Sequence, residues 1–261
     1  MKFSIKNRKD LKIVGNVTIP ENPTGLAFLI HGLGVTKDHL LMVKIMETFL
    51  ESNYIVVNFD ATNSFGESEG NYENTTMQLH YEDLVDVIDW SKTQDWYIES
   101  FVLAGSSLGG YAVVRYAEEY PSIVKAVFPL AAVVSGELSL KATEKYEGEE
   151  EFKKWKETGW FERDSVSMPG TIKRLPYSHM EERLKHNLLP NASKLVMPVL
   201  IVVGENDGLC PPADQKVLWD VLPKNEYTEF HIIPGAPHTF RTPEHLAQMK
   251  EVIGTWIKKI K

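Results

Sequence analysis

The sequence predicts an α/β protein built on a mostly parallel central sheet flanked by helices, with one inserted segment. Three observations carry that expectation. Short apolar runs alternate with stretches whose apolar residues recur every three or four positions, the signature of strand followed by helix. One such run, residues 101–104, passes through Gly105-Ser106-Ser107-Leu108-Gly109 directly into a helical stretch. The alternation then breaks between residues 135 and 193, a span too long for a single crossover helix.

Each element can be justified in turn. Residues 2–7 and 11–19 alternate apolar and polar side chains around a polar turn, as an antiparallel hairpin at a sheet edge would, and Pro20 and Pro23 end it. Residues 25–30 are a continuous apolar run, which a strand covered on both faces requires, and they lead into His31-Gly32-Leu33-Gly34. Leu40, Leu41, Ile45 and Phe49 predict a helix over 37–50. Residues 54–59 repeat the buried-strand pattern and end at Asp60, where a polar, turn-rich loop runs to Gly70. A helix over 75–91 turns Met77, Tyr81, Leu84 and Ile88 inward. The helix after residue 107 is stopped by Pro121, and residues 124–131 form the next strand.

The segment 135–193 is polar at first and then rich in aromatics, among them Trp155, Trp160, Phe161 and Tyr177. It reads as a lid or cap set into a core formed by residues 1–134 and 194–261. Strand rhythm resumes at 198–203 and ends in Gly204-Glu205-Asn206-Asp207. Pro211 and Pro212 open a helix containing Val217, Leu218 and Val221, since proline is tolerated in a first turn. Residues 227–233 are the last strand, ending in a Pro/Gly turn at His238, and a final helix aligns Leu246, Met249, Ile253, Trp256 and Ile260.

Bulk properties exclude several classes. Of 261 residues, 43% are hydrophobic and 25% charged, enough apolar content for a sizeable core. A net charge of −8 leaves no basic surplus for neutralising phosphates, so nucleic acid is not an expected partner. Cys210 is the sole cysteine, which rules out an intramolecular disulfide and fits a reducing compartment. The N-terminal residues show no apolar leader, and no run approaches the roughly 18 apolar residues of a membrane span. A cytoplasmic location without a membrane span is expected. No His/Asp/Glu group has metal-ligand spacing, so no metal is expected, and the chemistry below calls for no cofactor.

His31, Asp60, Ser107, Asp207 and His238 all fall at the carboxyl ends of expected strands, where α/β sheets build their sites. Strand, Gly-x-Ser-x-Gly and helix together describe a nucleophile elbow, which projects the central serine, Ser107, from a strained turn at a helix N-terminus. A serine hydroxyl needs a base within hydrogen-bond reach, and the base needs an orienting acid. His238, in a loop fixed by Pro and Gly after the last strand, is the expected base; Asp207, after the preceding strand, is the expected acid. The oxyanion of a tetrahedral intermediate needs two backbone donors, for which Leu108 and Leu33 are the candidates. His231 and His245 are assigned to structure, and His80, His179 and His186 show no partner pattern.

With His31-Gly32-Leu33-Gly34, the Asp60 loop, Gly105-Ser106-Ser107-Leu108-Gly109, Gly204-Glu205-Asn206-Asp207 and Pro237-His238 in place, the chain resembles the α/β-hydrolase superfamily over nearly its whole length. Within it, the sequence is similar to the bacterial cinnamoyl/feruloyl esterase group, and more distantly to monoacylglycerol lipases. The resemblance implies a serine carboxylic-ester hydrolase working through an acyl-enzyme, with Ser107, Asp207 and His238 as triad and Leu33 and Leu108 as oxyanion hole. It also places a lid and much of the acyl specificity in the insert.

Two departures stand out. Ser106 occupies the position where many relatives carry histidine, and the Asp60 loop is one residue longer than usual. Residues expected around the substrate are His31, Gly32, Trp155, Trp160 and Phe161, the aromatics suggesting an apolar or aromatic acyl group. The partner is then a small-molecule ester, with a homodimer among the compatible assemblies. A lipase, thioesterase, peptidase or acyltransferase would use the same triad, and a catalytically silent binding protein is the reading from another class.

Overall fold

A computed structural model describes residues 1–165 and 168–260. Its sheet has eight strands: β1 (Lys2–Lys6), β2 (Lys12–Thr18), β3 (Gly25–Ile30), β4 (Tyr54–Asp60), β5 (Phe101–Ser106), β6 (Val124–Leu130), β9 (Leu200–Gly204) and β10 (Glu229–Ile233). They lie in the order β1-β2-β4-β3-β5-β6-β9-β10. Only β2 runs against its neighbours, pairing antiparallel with both β1 and β4. The strand order reverses between β3 and β5, which are adjacent and parallel. That reversal opens a crevice beyond their carboxyl ends.

Successive side chains on a strand point to opposite faces, and here both faces are covered. Leu26, Phe28 and Ile30 of β3 pack with α2 (Met77–Ser91), α3 (Leu108–Glu119) and α7 (Pro212–Val221), while Ala27 and Leu29 face α1 (Leu40–Glu51) and α8 (Pro243–Lys259). This two-sided burial is why these strands read as unbroken apolar runs. No helix among the described residues is long and apolar enough to cross a membrane.

Between β6 and β9 the chain forms α4 (Gly136–Glu147), α5 (Glu149–Thr158), a two-stranded hairpin of β7 (Trp160–Asp164) and β8 (Ile172–Pro176), and α6 (Ser178–Arg183). Phe152, Trp155, Leu175 and Met180 of this segment make a separate apolar cluster with Tyr72, which precedes α2. The hairpin was not expected from the sequence. Each of its strands is short and carries charged residues, so neither shows a buried-strand run.

The helix expected from residue 37 begins at Leu40. Lys37 is held elsewhere: its backbone N–H and its ammonium both go to Asp60, at 2.8 and 3.0 Å. The last strand starts at Glu229 rather than 227, because Asn225 Oδ1 accepts the Tyr227 N–H and turns the chain.

The elbow depends on close approach of β5 and α3. A Cβ on Gly105 would overlap the carbonyl of Gly109, and one on Gly109 would overlap the Ile30 carbonyl. Gly105→Ala is therefore expected to cost about 3 kcal/mol, because these obstacles are backbone and cannot rotate aside. Urea unfolding of the variant checks this; an unchanged midpoint would contradict it.

Candidate active site

Ser107 sits at the junction of β5 and α3 with φ 55° and ψ −111°, a conformation that costs a non-glycine residue energy and is held by its surroundings. Its N–H donates to Leu130 O at 2.9 Å, and its carbonyl accepts from Tyr111 N and Val133 N, both at 3.1 Å. The turn thus cannot relax without breaking the ladder on either side. Burial pushes up the ionisation of the Cys210 thiol, and the Ser107 side chain acts on it in the opposite sense.

Asp207 and His238 are brought together by two loops at the ends of β9 and β10. Asn206 N–H donates to Ala236 O at 2.9 Å and Glu205 N–H to Ile233 O at 3.0 Å, clamping one loop to the other. His238 Nδ1 then meets Asp207 Oδ2 at 2.7 Å. The other carboxylate oxygen of Asp207 accepts N–H bonds from Leu209 (2.9 Å) and Cys210 (2.8 Å). Burial would raise the Asp207 carboxyl; the His238 charge and these hydrogen bonds outweigh it and hold the group below the usual range. Asp207 is fixed as an anion, and it orients the ring so that Nε2 is free.

Ser107 and His238 line the same cavity, of about 180 Å3. Leu33 and Leu108 line it too. Leu108 is the first residue of α3, where a backbone N–H has no partner within the helix. A Cβ on Gly32 would lie 3.0 Å from both Ser107 Cβ and Ser106 O, so only glycine lets the loop before Leu33 come this near the serine.

Trp155 and Phe161 line the cavity as well. Trp160 lies outside that lining. Neighbouring strand residues face opposite ways, so Trp160 and Phe161 cannot both point inward; Trp160 is 39% exposed and carries the Arg174 guanidinium 3.8 Å above its ring.

His31 also lies outside the lining, buried beneath it. Its Nδ1–H donates to Gly32 O at 2.8 Å, and its Nε2 accepts from Ala61 N–H at 3.0 Å, so the ring braces the Gly32 loop as a neutral group. Burial lowers its basicity. His80 Nε2 donates to His31 O at 2.7 Å.

Asp60 is fully buried and serves the loops. It accepts from Lys37 N–H, from Glu67 N–H at 2.9 Å and from the Lys37 ammonium. Lys37→Met is expected to cost about 3 kcal/mol by leaving this carboxylate without its counter-charge. Thermal unfolding tests it, and an unaltered Tm would contradict it.

The histidines without a partner pattern in the sequence all have partners in space. His80 falls on the inner stripe of α2, three residues after Met77 and four before Leu84, a placement visible in the sequence. His179 Nδ1 donates to Thr75 O at 2.8 Å, and its Nε2 accepts from Arg183 at 2.7 Å. His186 bridges Tyr111 (2.8 Å) and Glu182 (2.6 Å), and Glu182 in turn accepts from Met77 N–H and Gln78 N–H at the start of α2.

Burial brings His80 and His179 down to about 3. Unfolded, they would take up protons near the ordinary value of 6.5. Their neutral burial therefore supports the fold fully above 6.5, and this support is lost as pH falls toward 3, by up to about 1.4 kcal/mol per pH unit for each. Urea unfolding at pH 7 and pH 5 should show the loss, and His179→Gln should flatten it; equal slopes would contradict the assignment.

A family profile described as serine aminopeptidase, S33, matches residues 21–242, most of the chain and all of the geometry above. The chain belongs to this α/β-hydrolase family. Among related sequences, this hydrolase is 27% identical to an uncharacterized 31.7 kDa protein of the traX–finO intergenic region of Escherichia coli, over 80% of this chain and 79% of that one. It is 24% identical to the mitochondrial palmitoyl-protein thioesterase ABHD10 of Mus musculus, over 80% of this chain and 67% of that one. Among solved structures, it superposes on Est1E from Butyrivibrio proteoclasticus, determined with ferulic acid bound, with a TM-score of 0.79, 20% identity and 98% of each chain covered. The hydrolase therefore shares the α/β-hydrolase fold of esterase and thioesterase relatives.

Proposed function

We propose that this hydrolase cleaves carboxylic esters or thioesters through an acyl-enzyme formed on Ser107. The observation that carries the reading is the 2.7 Å bond between His238 and the buried Asp207, with the His238 ring opening into the cavity that holds the strained Ser107. Ser107 Oγ attacks the carbonyl carbon as His238 Nε2 takes its proton. The oxyanion is received by the N–H groups of Leu33 and Leu108, each worth on the order of 3 kcal/mol of barrier. Collapse expels the alcohol or thiol, which leaves with the proton from His238. Water, deprotonated by the same ring, attacks the acyl carbon; the acid departs and the proton returns to Ser107.

The segment 135–193 acts as the lid, and Trp155 and Phe161 form an apolar wall for the acyl chain. An aromatic acyl group of the feruloyl type matches that wall, and Est1E, which shares the fold, was determined with ferulic acid bound.

The test is a panel: methyl ferulate, 4-nitrophenyl esters of graded chain length, an acyl thioester and an amino-acid 4-nitroanilide. Hydrolysis of ferulate or another ester, or of the thioester, with the anilide left intact, is expected. Cleavage of the anilide alone would replace the reading with a peptidase.

A further inference from the structure

The β7–β8 hairpin has two unlike faces. In its antiparallel register Phe161 stands opposite Leu175, Glu162 opposite Arg174, and Arg163 opposite Lys173. Side chains alternate along each strand, so Glu162 and Arg174 share the outer face, where the carboxylate and guanidinium pair at 2.6 Å. The inner face carries Phe161 with Leu175 and, one pair further along, Arg163 with Lys173, and all four line the cavity. The outer face thus balances its charges, while the inner face sets two cations opposite each other, which is destabilising unless an anion offsets them.

Glu147, at the end of α4, also lines the cavity, and Arg163 engages it at 2.6 Å. Lys173 is left over. Among the described residues no carboxylate lies within ion-pair distance of its ammonium, and the charges acting on it are Arg163 and, from further away, Glu147. Burial and then the Arg163 charge lower it to about 8, with Glu147 opposing them, so it is still mostly protonated at pH 7. The ammonium is not among the unpartnered polar atoms sealed from solvent, so it stays open to the cavity. It also lies against the glycine loop: a Cβ on Gly34 would be 2.7 Å from Lys173 Nζ. Gly34 follows Leu33, the expected oxyanion donor.

Resting on the hydrolase reading above, we propose that Lys173, with Arg163 beside it, anchors an anion on the acyl part of the substrate, which is an ester or thioester whose acyl chain ends in a carboxylate. Phe161, Leu175 and Trp155 take the methylene groups, and the neighbouring cationic pair takes the terminal oxygens. Two cations and one carboxylate, Glu147, leave a single positive charge on this wall, which a monoanion balances.

The experiment compares mono-4-nitrophenyl adipate, pimelate and suberate with their methyl-capped neutral twins, in the full chain at pH 7. One charge-assisted hydrogen bond is worth about tenfold or more, so the wild type should favour at least one half-ester over its twin by about that factor in kcat/KM. The ratio should fall to near one in Lys173→Met and be partly restored in Lys173→Arg. It should rise in Glu147→Gln, where the wall loses its own anion. A purely structural role for Lys173 would change both substrates together and leave the ratio intact. If Lys173→Met does not fold, Glu147→Gln decides, and a ratio that fails to rise there overturns the subsite. A wild-type ratio at or below one across the series, with the neutral twins hydrolysed, overturns the subsite and leaves the hydrolase standing, as does a ratio unchanged in Lys173→Met. Failure to hydrolyse any ester, together with failure of a fluorophosphonate to label the folded protein, overturns the hydrolase reading and the subsite with it.

Discussion

Ser107→Ala is expected to abolish ester or thioester hydrolysis, with a fall in kcat of at least about ten-thousandfold and little change in Tm. The size of the loss follows from what alanine removes. The oxygen that would carry the acyl group disappears, so the two-step route closes altogether, and only substrate positioning and the backbone donors of Leu33 and Leu108 remain to assist water. The backbone should hold its conformation. The turn is fixed by the Ser107 N–H to Leu130 and by its carbonyl to Tyr111 and Val133, none of which uses the side chain. Steady-state kinetics on the best substrate of the panel, with calorimetry alongside, checks this. A loss below about a hundredfold in a folded variant would move the nucleophile elsewhere.

Asp207→Asn should lower kcat by on the order of ten-thousandfold while KM moves little. An asparagine at this position is held as the aspartate is. Its carbonyl oxygen takes the N–H bonds from Leu209 and Cys210, which turns its NH2 toward His238 Nδ1. A ring that accepts at Nδ1 carries its proton on Nε2, and Nε2 can then no longer receive the serine proton. The geometry survives and the tautomer is wrong. The same substitution withdraws the charge that would stabilise the imidazolium formed during attack. A variant retaining more than a tenth of wild-type kcat would show that Asp207 does not set the tautomer.

The sheet was legible in the sequence because it is buried on both faces. Runs such as residues 25–30 and 54–59 have no polar side to hide, so they announce themselves without any alternation. The elbow was legible for a local reason, since the close approach at Gly105 and Gly109 restricts which residues fit. Asp207 and His238 could be named from their places after strands, although the 2.7 Å contact between them depends on two loops far apart in sequence.

The interior of the cavity was not legible. Lys173 and Arg183 come from a charged hairpin and a helix of one and a half turns, elements with too few apolar positions to show a period. Trp160 and Phe161 looked equivalent as letters; strand alternation sends one to solvent and the other to the pocket. His31 was expected at the substrate because it ends a strand beside the glycine loop, and it does lie there, one layer down, where its two ring nitrogens hold backbone instead.

On the proposed mechanism, Ser107 is made reactive by His238 and Asp207 in one cavity. The most direct test is to treat the folded protein with a fluorophosphonate and map the adduct by peptide mass spectrometry. A single adduct per chain on the peptide containing Ser107, formed slowly or not at all in Asp207→Asn, is the predicted result. An adduct on another residue, or labelling of Ser107 at the same rate in Asp207→Asn, would contradict it.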